Sequence, residues 1–406
     1  MRYSFLLRGL ARLRTARPTR RGLLALAVAL VVLATAGWIS SGRQPAPEPL
    51  ELQLAGWRKD TVARRALPEP DAGPERIAAF FADLDAGRAR RLADRYPLVV
   101  GNLPGAPLPL RYRANRLAIE DASRVERARA EDERLSPVGQ REAGRRLNRL
   151  VSLLGEDRQI LAFDPSGRGR VAEVFGDLAQ ADRVSVVVPG VNTDLLTFER
   201  TEGRWSAPAG MARALHAEER SRSPGTASAT VAWADYEAPR GLTMSAVTAG
   251  RAESGAERLL ATLRGLPGDA ELALFCHSYG SVVCGLAADE LPARVTDIAV
   301  TGSPGMHAAR VEDLGTTARV WAMRAEDDWI GEVPHLAIGP LGHGADPASP
   351  GFGARPLGSE GATGHDGYYR PGSGSLRNLA LVGNGTAAHA GCAPEAADCA
   401  PLAPCR

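Results

Sequence analysis

Residues 271–283, ELALFCHSYGSVV, decide the fold of this chain. The first seven form a nearly unbroken apolar run, as expected of a buried strand, and the GSVV that follows begins a helix. Ser278 lies at the tip of the turn between them. A buried strand, a sharp turn carrying serine and a following helix make up a nucleophile elbow, whose motif is G-x-S-x-G. Cys276 stands where that motif has its first glycine.

Five other serines start the short pattern Ser-x-Gly, and none of them has this context. The residue after a nucleophilic serine donates its backbone N–H to the oxyanion, which proline cannot do. Proline follows Ser223, Ser303 and Ser349. Ser40 lies within an uncharged N-terminal segment, and Ser359 has no strand before it. Ser278 is therefore the candidate nucleophile.

Short apolar runs alternate with helical stretches beyond residue 156. Strands are predicted at 184–188, 230–233, 272–276, 297–301 and 319–325, with helices around 208–220, 243–264 and 280–291. Uninterrupted apolar strands that alternate with helices predict a parallel sheet covered on both faces. The turn signal PSG at 165–167 adds an antiparallel hairpin. We therefore expect an α/β fold with a mostly parallel, α/β-hydrolase-like sheet over residues 157–388.

The second oxyanion donor should follow an earlier central strand. The run VSVVVPGVNT at 184–193 has this form, and Gly190 permits the turn that directs the next amide inward. The predicted oxyanion donors are the backbone amides of Val191 and Tyr279. The alternative is an ordinary loop in which Asn192 or Thr193 caps a helix.

A serine nucleophile needs a base and a carboxylate, which follow it along the chain in this fold. The strand at 319–325 runs directly into Glu326, Asp327 and Asp328. Asp328 is the preferred acid, with Asp327 as the alternative. His365, in a glycine-rich loop before the last helix, is the preferred base and His343 the alternative. His335 lies in an apolar run and is expected to be structural.

The N-terminus has the pattern of a targeting or anchoring segment. Seven arginines occupy residues 1–21, and residues 22–42 carry no charge. Such a segment can span a bilayer with the arginines in the cytoplasm, placing the rest of the chain outside. The sequences TRRGLL at 19–24 and ATA at 34–36 are also compatible with a cleaved signal. A linker at 43–72 and a helical region at 73–156 follow.

Composition excludes several classes of protein. The chain has 406 residues, 44% of them hydrophobic and 24% charged, so it is neither disordered nor collagen-like. Without the seven N-terminal arginines, 42 basic residues face 47 acidic ones, and no nucleic-acid partner is expected. No histidine pair has metal-ligand spacing, so neither a metal nor a cofactor is expected.

The five cysteines fit an exported protein. Three of them lie in the Cys/Pro/Ala-rich tail at 389–406, where a short disulfide is possible: Cys392, Cys399 and Cys405. Cys276 and Cys284 lie in apolar runs and are expected to be buried thiols.

Taken together, these stretches resemble an α/β-hydrolase family of high-GC Gram-positive bacteria, catalogued as domain of unknown function 1023. The resemblance covers about residues 75–385. It is carried by GNLPG at 101–105, RANR at 113–116, FDP at 163–165, VPG at 188–190, HSYGS at 277–281, GSPG at 302–305, GHG at 342–344 and GH at 364–365. It implies a serine-hydrolase framework with Ser278 as nucleophile and His365 as base, and it implies no substrate.

The sequence thus predicts an exported or membrane-anchored serine hydrolase. Its substrate is expected to be a small-molecule, lipid or cell-envelope ester, hydrolysed through Ser278, His365 and Asp328. Acyl transfer or amide cleavage by the same residues is an alternative. A non-catalytic envelope protein that uses the fold for binding is a further alternative, disfavoured because candidates for all three catalytic roles occur in the required order.

Overall fold

A computed structural model describes residues 48–241, 243–338 and 341–387. Its N-terminal part is helical with one small hairpin. The elements are α1 (Pro49–Lys59), β1 (Thr61–Val62), β2 (Arg65–Ala66), α2 (Pro74–Ala82), α3 (Ala86–Arg95), α4 (Pro97–Gly101), α5 (Leu108–Glu131) and α6 (Pro137–Leu153). The helical pattern expected over 73–156 thus corresponds to helices α2 to α6.

The structure differs from the linker expected at 43–72. Pro49 lies in the first turn of α1, where a missing N–H costs nothing, and the rest of that helix contains no proline. The Trp57 side chain is fully buried, and its indole N–H donates to the Pro68 carbonyl at 2.6 Å. Trp57 and Leu67 share a hydrophobic cluster with side chains of α2, so the described part of this segment packs against the following helices.

Eight strands form one central sheet. They are β3 (Gln159–Asp164), β4 (Arg170–Gly176), β5 (Arg183–Val188), β6 (Ser228–Ala234), β7 (Glu271–His277), β8 (Val295–Thr301), β9 (Arg319–Met323) and β12 (Arg355–Pro356). Their spatial order is β12-β9-β8-β7-β5-β6-β4-β3. All neighbours from β12 to β6 are parallel, whereas β4 pairs antiparallel with both β6 and β3. The prediction of a mostly parallel α/β-hydrolase sheet with a hairpin at its edge is confirmed.

Side chains of the central strands alternate between two cores. On β5, Val184, Val186 and Val188 belong to one hydrophobic cluster and Val187 to the other. This alternation follows from the two-residue repeat of a strand, and it explains why both faces of the sheet are apolar. Helices cover both faces: α9 (Gly250–Arg264) and α10 (Gly280–Ala287) contribute to the first cluster, and α7 (Pro208–Arg222) and α11 (Gly374–Gly383) to the second. Helix α8 (Met244–Val247) is a single short turn that belongs to neither cluster.

The single helix expected at 243–264 is divided in the structure. Helix α8 ends at Val247, and Thr248 forms an isolated antiparallel bridge with Leu341 before α9 begins. Leu341 belongs to a second small hairpin, β10 (Ala337–Ile338) and β11 (Leu341–Gly342). The division thus ties the α8 segment to the β10–β11 hairpin.

The described residues contain no helix that is both long and apolar enough to cross a membrane. The basic arm at 1–21, the uncharged segment at 22–42 and residues 43–47 of the expected linker lie outside the described residues. So does the tail with Cys392, Cys399 and Cys405.

Candidate active site

The turn at Ser278 has the backbone of a nucleophile elbow. Strand β7 ends at His277, helix α10 begins at Gly280, and Ser278 between them has φ +54°. A non-glycine residue in this left-handed region is strained and persists only where surrounding bonds hold it. The Ser278 N–H donates to the Thr301 carbonyl at 3.0 Å, which fixes the turn against β8.

His365 lies directly over this serine. Its Nε2 is 2.9 Å from the Ser278 hydroxyl oxygen. The imidazole is flanked by the rings of Trp329 and His277, whose centroids lie 4.8 and 4.9 Å away. The structure thus brings together two residues 87 positions apart in the chain.

Asp328 completes a chain of hydrogen bonds behind the histidine. His365 Nδ1 is 2.9 Å from Oδ1 and 3.1 Å from Oδ2 of Asp328. Burial alone would raise the pKa of the Asp328 carboxyl, but hydrogen bonds from His365, Tyr368 and the Ile330 N–H outweigh it and lower that pKa. The ionised carboxylate can therefore orient the imidazole and stabilise it when it takes up a proton.

The alternative acid and base have other contacts. Asp327 accepts a hydrogen bond from the Gly364 N–H at 2.7 Å and so holds the loop next to His365. His343 donates from Nε2 to the Ala246 carbonyl at 2.7 Å, and its ring packs edge-on against Tyr279. These contacts place Asp327 and His343 as supports around the site.

The loop that carries Val191, one of the two predicted oxyanion donors, lies close to Ser278. A Cβ added to Gly190 would come within 2.6 Å of the Ser278 Cβ, so only glycine permits the approach of this loop. Across residues 48–241, 243–338 and 341–387, neither the Val191 nor the Tyr279 N–H donates to another group. Both amides are thus free to bind an oxygen at Ser278.

The loop that carries Val191 is held by hydrogen bonds to residues 239–241. Asn192 has φ +60°, its side-chain oxygen accepts from the Gly241 N–H at 2.7 Å, and its own N–H donates to the Pro239 carbonyl at 2.8 Å. The next helical residues are a short 3-10 turn at Arg204–Ser206, and α7 begins at Pro208. The helix-capping alternative for Asn192 and Thr193 therefore does not describe this loop.

Tyr368 was missed by the sequence reasoning. Its hydroxyl donates to Asp328 Oδ2 at 2.5 Å and accepts from the Ala325 N–H at 3.0 Å. The phenol thus links the loop that carries His365 to the residues that follow β9. Its position three residues after His365 was the only available signal.

The prediction of buried thiols at Cys276 and Cys284 is wrong in one respect. Both residues are fully buried, but they form a disulfide. Cys276 lies next to the last residue of β7 and Cys284 lies on α10, and their Cα atoms are 6.5 Å apart, within the range that a disulfide can bridge. The bond therefore joins the two elements on either side of the elbow.

His277 is a further group next to the base. Burial, followed by the neighbouring His365, lowers the pKa of His277 to about 3. The ring is therefore neutral near pH 7, and its Nδ1 lies 3.2 Å from the Thr301 carbonyl oxygen. The His277 ring therefore packs against His365 without placing a positive charge beside it.

Nucleophile, imidazole and carboxylate in one hydrogen-bonded chain, beside two free amides, form an arrangement suited to acyl transfer. The described part of the chain has no group of three or more His, Cys, Asp or Glu side chains that could hold a metal ion.

Curated relatives match this chain over part of their own length. The uncharacterized protein Rv2079 of Mycobacterium tuberculosis is 26% identical over 381 residues, covering 79% of this chain and 57% of that protein. The uncharacterized protein Rv0963c of the same species is 34% identical over 174 residues, covering 41% of this chain and 60% of that protein. The chain thus spans less than two thirds of the length of these relatives.

Two solved structures have only a distant likeness. XC6422 from Xanthomonas campestris, described as an α/β serine hydrolase without a lid, has 18% identity and a TM-score of 0.27, covering 43% of this chain and 74% of its own. A 2,6-dihydroxy-pseudo-oxynicotine hydrolase has 15% identity and a TM-score of 0.26, covering 70% of this chain and 79% of its own.

A family match adds to the geometry. Residues 164–338 match the model of a family described as alpha/beta hydrolase, a span that includes Ser278 and Asp328 and ends before His365. The sheet order and the elbow at the end of β7 agree with that match. This chain therefore has the alpha/beta-hydrolase fold, and residues 164–338 are similar to a family described as alpha/beta hydrolase.

Proposed function

We propose that this protein is a serine hydrolase that cleaves carboxylic esters. The observation that carries the proposal is the continuous contact from Ser278 Oγ to His365 Nε2 at 2.9 Å and from His365 Nδ1 to Asp328 at 2.9 Å. A serine hydroxyl is a poor nucleophile near neutral pH, and this contact supplies the base that activates it.

In the proposed reaction, Ser278 Oγ attacks the ester carbonyl while His365 Nε2 takes up the hydroxyl proton. The Val191 and Tyr279 amides stabilise the oxyanion, and Asp328 stabilises the imidazolium. The imidazolium then protonates the leaving alcohol, and an acyl-serine remains. A water molecule, deprotonated by His365, attacks this acyl group and releases the acid with Ser278 restored.

A fluorophosphonate probe, together with hydrolysis of p-nitrophenyl acetate, tests this proposal. We expect both labelling and hydrolysis in the parent protein and neither in Ser278→Ala. The exposed Ser254, on α9, offers a matched control, since Ser254→Ala should retain both. Equal labelling of parent and Ser278→Ala would refute Ser278 as the nucleophile. Labelling without ester hydrolysis, but with cleavage of an anilide, would assign amides as the substrates.

We also propose that the catalytic part lies outside the cytoplasm, attached by residues 22–42 or released after their cleavage. The seven arginines before this uncharged segment support this topology. The Cys276–Cys284 disulfide is a second support, because disulfides persist in oxidising compartments. Alkaline phosphatase fused after Arg406 should be active in the full chain and inactive when residues 1–42 are deleted. An inactive phosphatase fusion in the full chain would refute export.

A further inference from the structure

We infer that the catalytic centre is bordered by an apolar rim that selects esters with long aliphatic acyl chains. This inference rests on the proposed ester hydrolysis and adds a substrate class to it. The rim consists of five exposed side chains: Met244, Val247, Trp329, Leu336 and Leu341.

Exposed large hydrophobic side chains are concentrated around the site. The described residues have nine of them, and five are those of the rim. The exposed fractions include 66% for Met244, 52% for Leu336 and 41% for Leu341. The other four lie on the N-terminal helices α1, α5 and α6. Large contiguous apolar surface is uncommon on soluble proteins and marks sites of binding.

One side of the rim is fixed to the residue that follows the nucleophile. The Tyr279 hydroxyl donates to the Thr248 carbonyl at 2.9 Å, immediately after α8 with its exposed Met244 and Val247. Thr248 forms its bridge with Leu341. Helix α8 and the β10–β11 hairpin are thus held beside the elbow.

The other side of the rim is fixed to the base. Trp329 directly follows the acid, and its ring centroid lies 4.8 Å from that of His365. Leu336 follows His335, whose Nε2 is 3.3 Å from the Ser303 carbonyl oxygen. The Ser303 hydroxyl in turn lies 2.6 Å from that of Ser281, on the first turn of α10. Segments that carry rim side chains are thus attached both to Tyr279 and to the residues around His365 and Ser281.

The segments that carry four of the five rim side chains lack ionic side chains; the exception is the segment of Trp329, which follows Asp328. Residues 243–250, 333–338 and 341–345 contain no Asp, Glu, Lys or Arg, in a chain that is 24% charged. The two histidines there, His335 and His343, contact backbone carbonyl oxygens. A charged substrate group would lose water against these uncharged segments, whereas an aliphatic chain gains by burial. The acyl chain of an ester is the occupant that fits both the apolar surface and the adjoining nucleophile.

A series of p-nitrophenyl esters, all used below their critical micelle concentrations, tests the rim. Each methylene buried should raise kcat/KM by roughly 2- to 4-fold, until the chain extends beyond the rim. We expect kcat/KM for the octanoate to exceed that for the acetate by at least tenfold. In Met244→Ser/Leu336→Ser/Leu341→Ser this ratio should fall to about threefold or less.

The chain offers a matched control for these substitutions. Val125, Val138 and Val151 are 57%, 67% and 51% exposed on α5 and α6. Val125→Ser/Val138→Ser/Val151→Ser should retain the parent ratio. Equal hydrolysis of the acetate and octanoate esters by the parent protein would overturn the inference that the rim selects long acyl chains. It would still support ester hydrolysis. A second series uses the longer esters above their critical micelle concentrations. A preference found only in that series would mean that the rim binds a lipid surface, and would overturn the binding of single acyl chains.

A binding measurement separates the rim from catalysis. The methyl ester of cis-parinaric acid is a neutral, fluorescent, long-chain ester that Ser278→Ala should bind without cleaving. Adding the three rim substitutions should weaken this binding by at least fivefold, whereas the three valine substitutions should not. Binding that depends on the rim, in a protein without esterase activity, would refute the proposed function but not the apolar site. Binding that the rim substitutions leave unchanged would overturn the rim.

Discussion

The hydroxyl of Tyr368 donates a hydrogen bond of 2.5 Å to Asp328 Oδ2, on the same carboxylate that accepts from His365. Burial, followed by the neighbouring Asp328, raises the pKa of Tyr368, so the phenol stays protonated and remains a donor. It contacts Oδ2, which also lies 3.1 Å from His365 Nδ1. Tyr368 is therefore a positioning residue, which acts on the proposed chemistry through Asp328.

Tyr368→Phe should lower kcat by about tenfold with little change in KM, because a hydrogen bond to a charged group contributes roughly 1.5–3 kcal/mol. Its loss should also raise the pKa of Asp328. Since that carboxyl contributes only when ionised, acid inactivation should begin at a higher pH than in the parent protein. Steady-state kinetics on p-nitrophenyl acetate across acidic pH would measure both effects.

Tyr369→Phe is the control for this change. Tyr369 is as buried as its neighbour, and in the described part of the chain its hydroxyl has no hydrogen bond to Asp328. If both variants lose the same kcat, and acid inactivation of Tyr368→Phe begins at the same pH as in the parent protein, Tyr368 contributes by packing alone.

Gly302→Ala should abolish most activity at a modest cost in stability. Gly302 has φ +55°, and an added Cβ would lie 2.8 Å from Asp328 Oδ2 and 3.1 Å from His365 Nδ1. The methyl group would push the acid and base apart, and we expect at least a 100-fold loss of kcat/KM. Gly268→Ala is matched in backbone, with φ +69° and no atom within 4 Å of the added Cβ. Gly302→Ala and Gly268→Ala should each lose about 1–2 kcal/mol of folding stability. An inactive Gly268→Ala would contradict the explanation that the added methyl group displaces Asp328 and His365.

The sequence predicts those site residues whose place depends on a neighbouring strand or helix. Ser278, Asp328 and His365 each follow a recognisable strand or precede a recognisable helix, so their roles could be assigned one by one. Tyr368 could not be found in this way, because its partner lies 40 residues earlier and only the folded loop brings them together. The disulfide was missed for a related reason: apolar neighbours predict burial of Cys276, but pairing depends on the separation of β7 and α10.

The two histidine variants should differ strongly. His365→Ala removes the group in contact with Ser278 Oγ and should leave little activity. Adding Asp328→Asn should cost little more, since residues that act as a unit are not additive. His343→Ala removes a bond to the Ala246 carbonyl and should retain more activity. Measured kcat/KM values in the reverse order would move the base to His343.

Removing the disulfide should destabilise the protein without unfolding it. Cys276 and Cys284 close a loop across eight positions, for which the chain-entropy model gives roughly 2–3 kcal/mol. Cys276→Ala/Cys284→Ala should therefore unfold at a lower temperature than the parent protein, as followed by circular dichroism. Denaturation under reducing conditions provides the control: dithiothreitol should lower the parent Tm and leave that of the double variant unchanged. No change in the parent would mean that the bond contributes nothing.

Glu219 should make folding stability depend on pH in the opposite direction from a salt-bridged acid. It is buried on α7, where its carboxyl accepts hydrogen bonds from the Ser185 hydroxyl at 2.5 Å and the Thr230 hydroxyl at 2.9 Å. Burial raises the pKa of Glu219 from 4.5 to about 7, and these hydrogen bonds only partly offset it. Because the folded pKa is the higher one, this contribution to stability is fully present below pH 4.5. It is lost as pH rises through about 7.

The loss should be on the order of 3 kcal/mol, at 1.36 kcal/mol for each factor of ten in the proton equilibrium. Glu219→Gln removes the titration but keeps an oxygen that can accept a hydrogen bond. His277, with its pKa lowered to about 3, opposes this effect in both proteins, since its neutral form is favoured by folding. The difference in free energy of unfolding between parent and Glu219→Gln cancels the His277 contribution. Urea denaturation should find that difference changing in favour of the glutamine between pH 4.5 and 7.5, and a constant difference would show that Glu219 is not protonated in the fold.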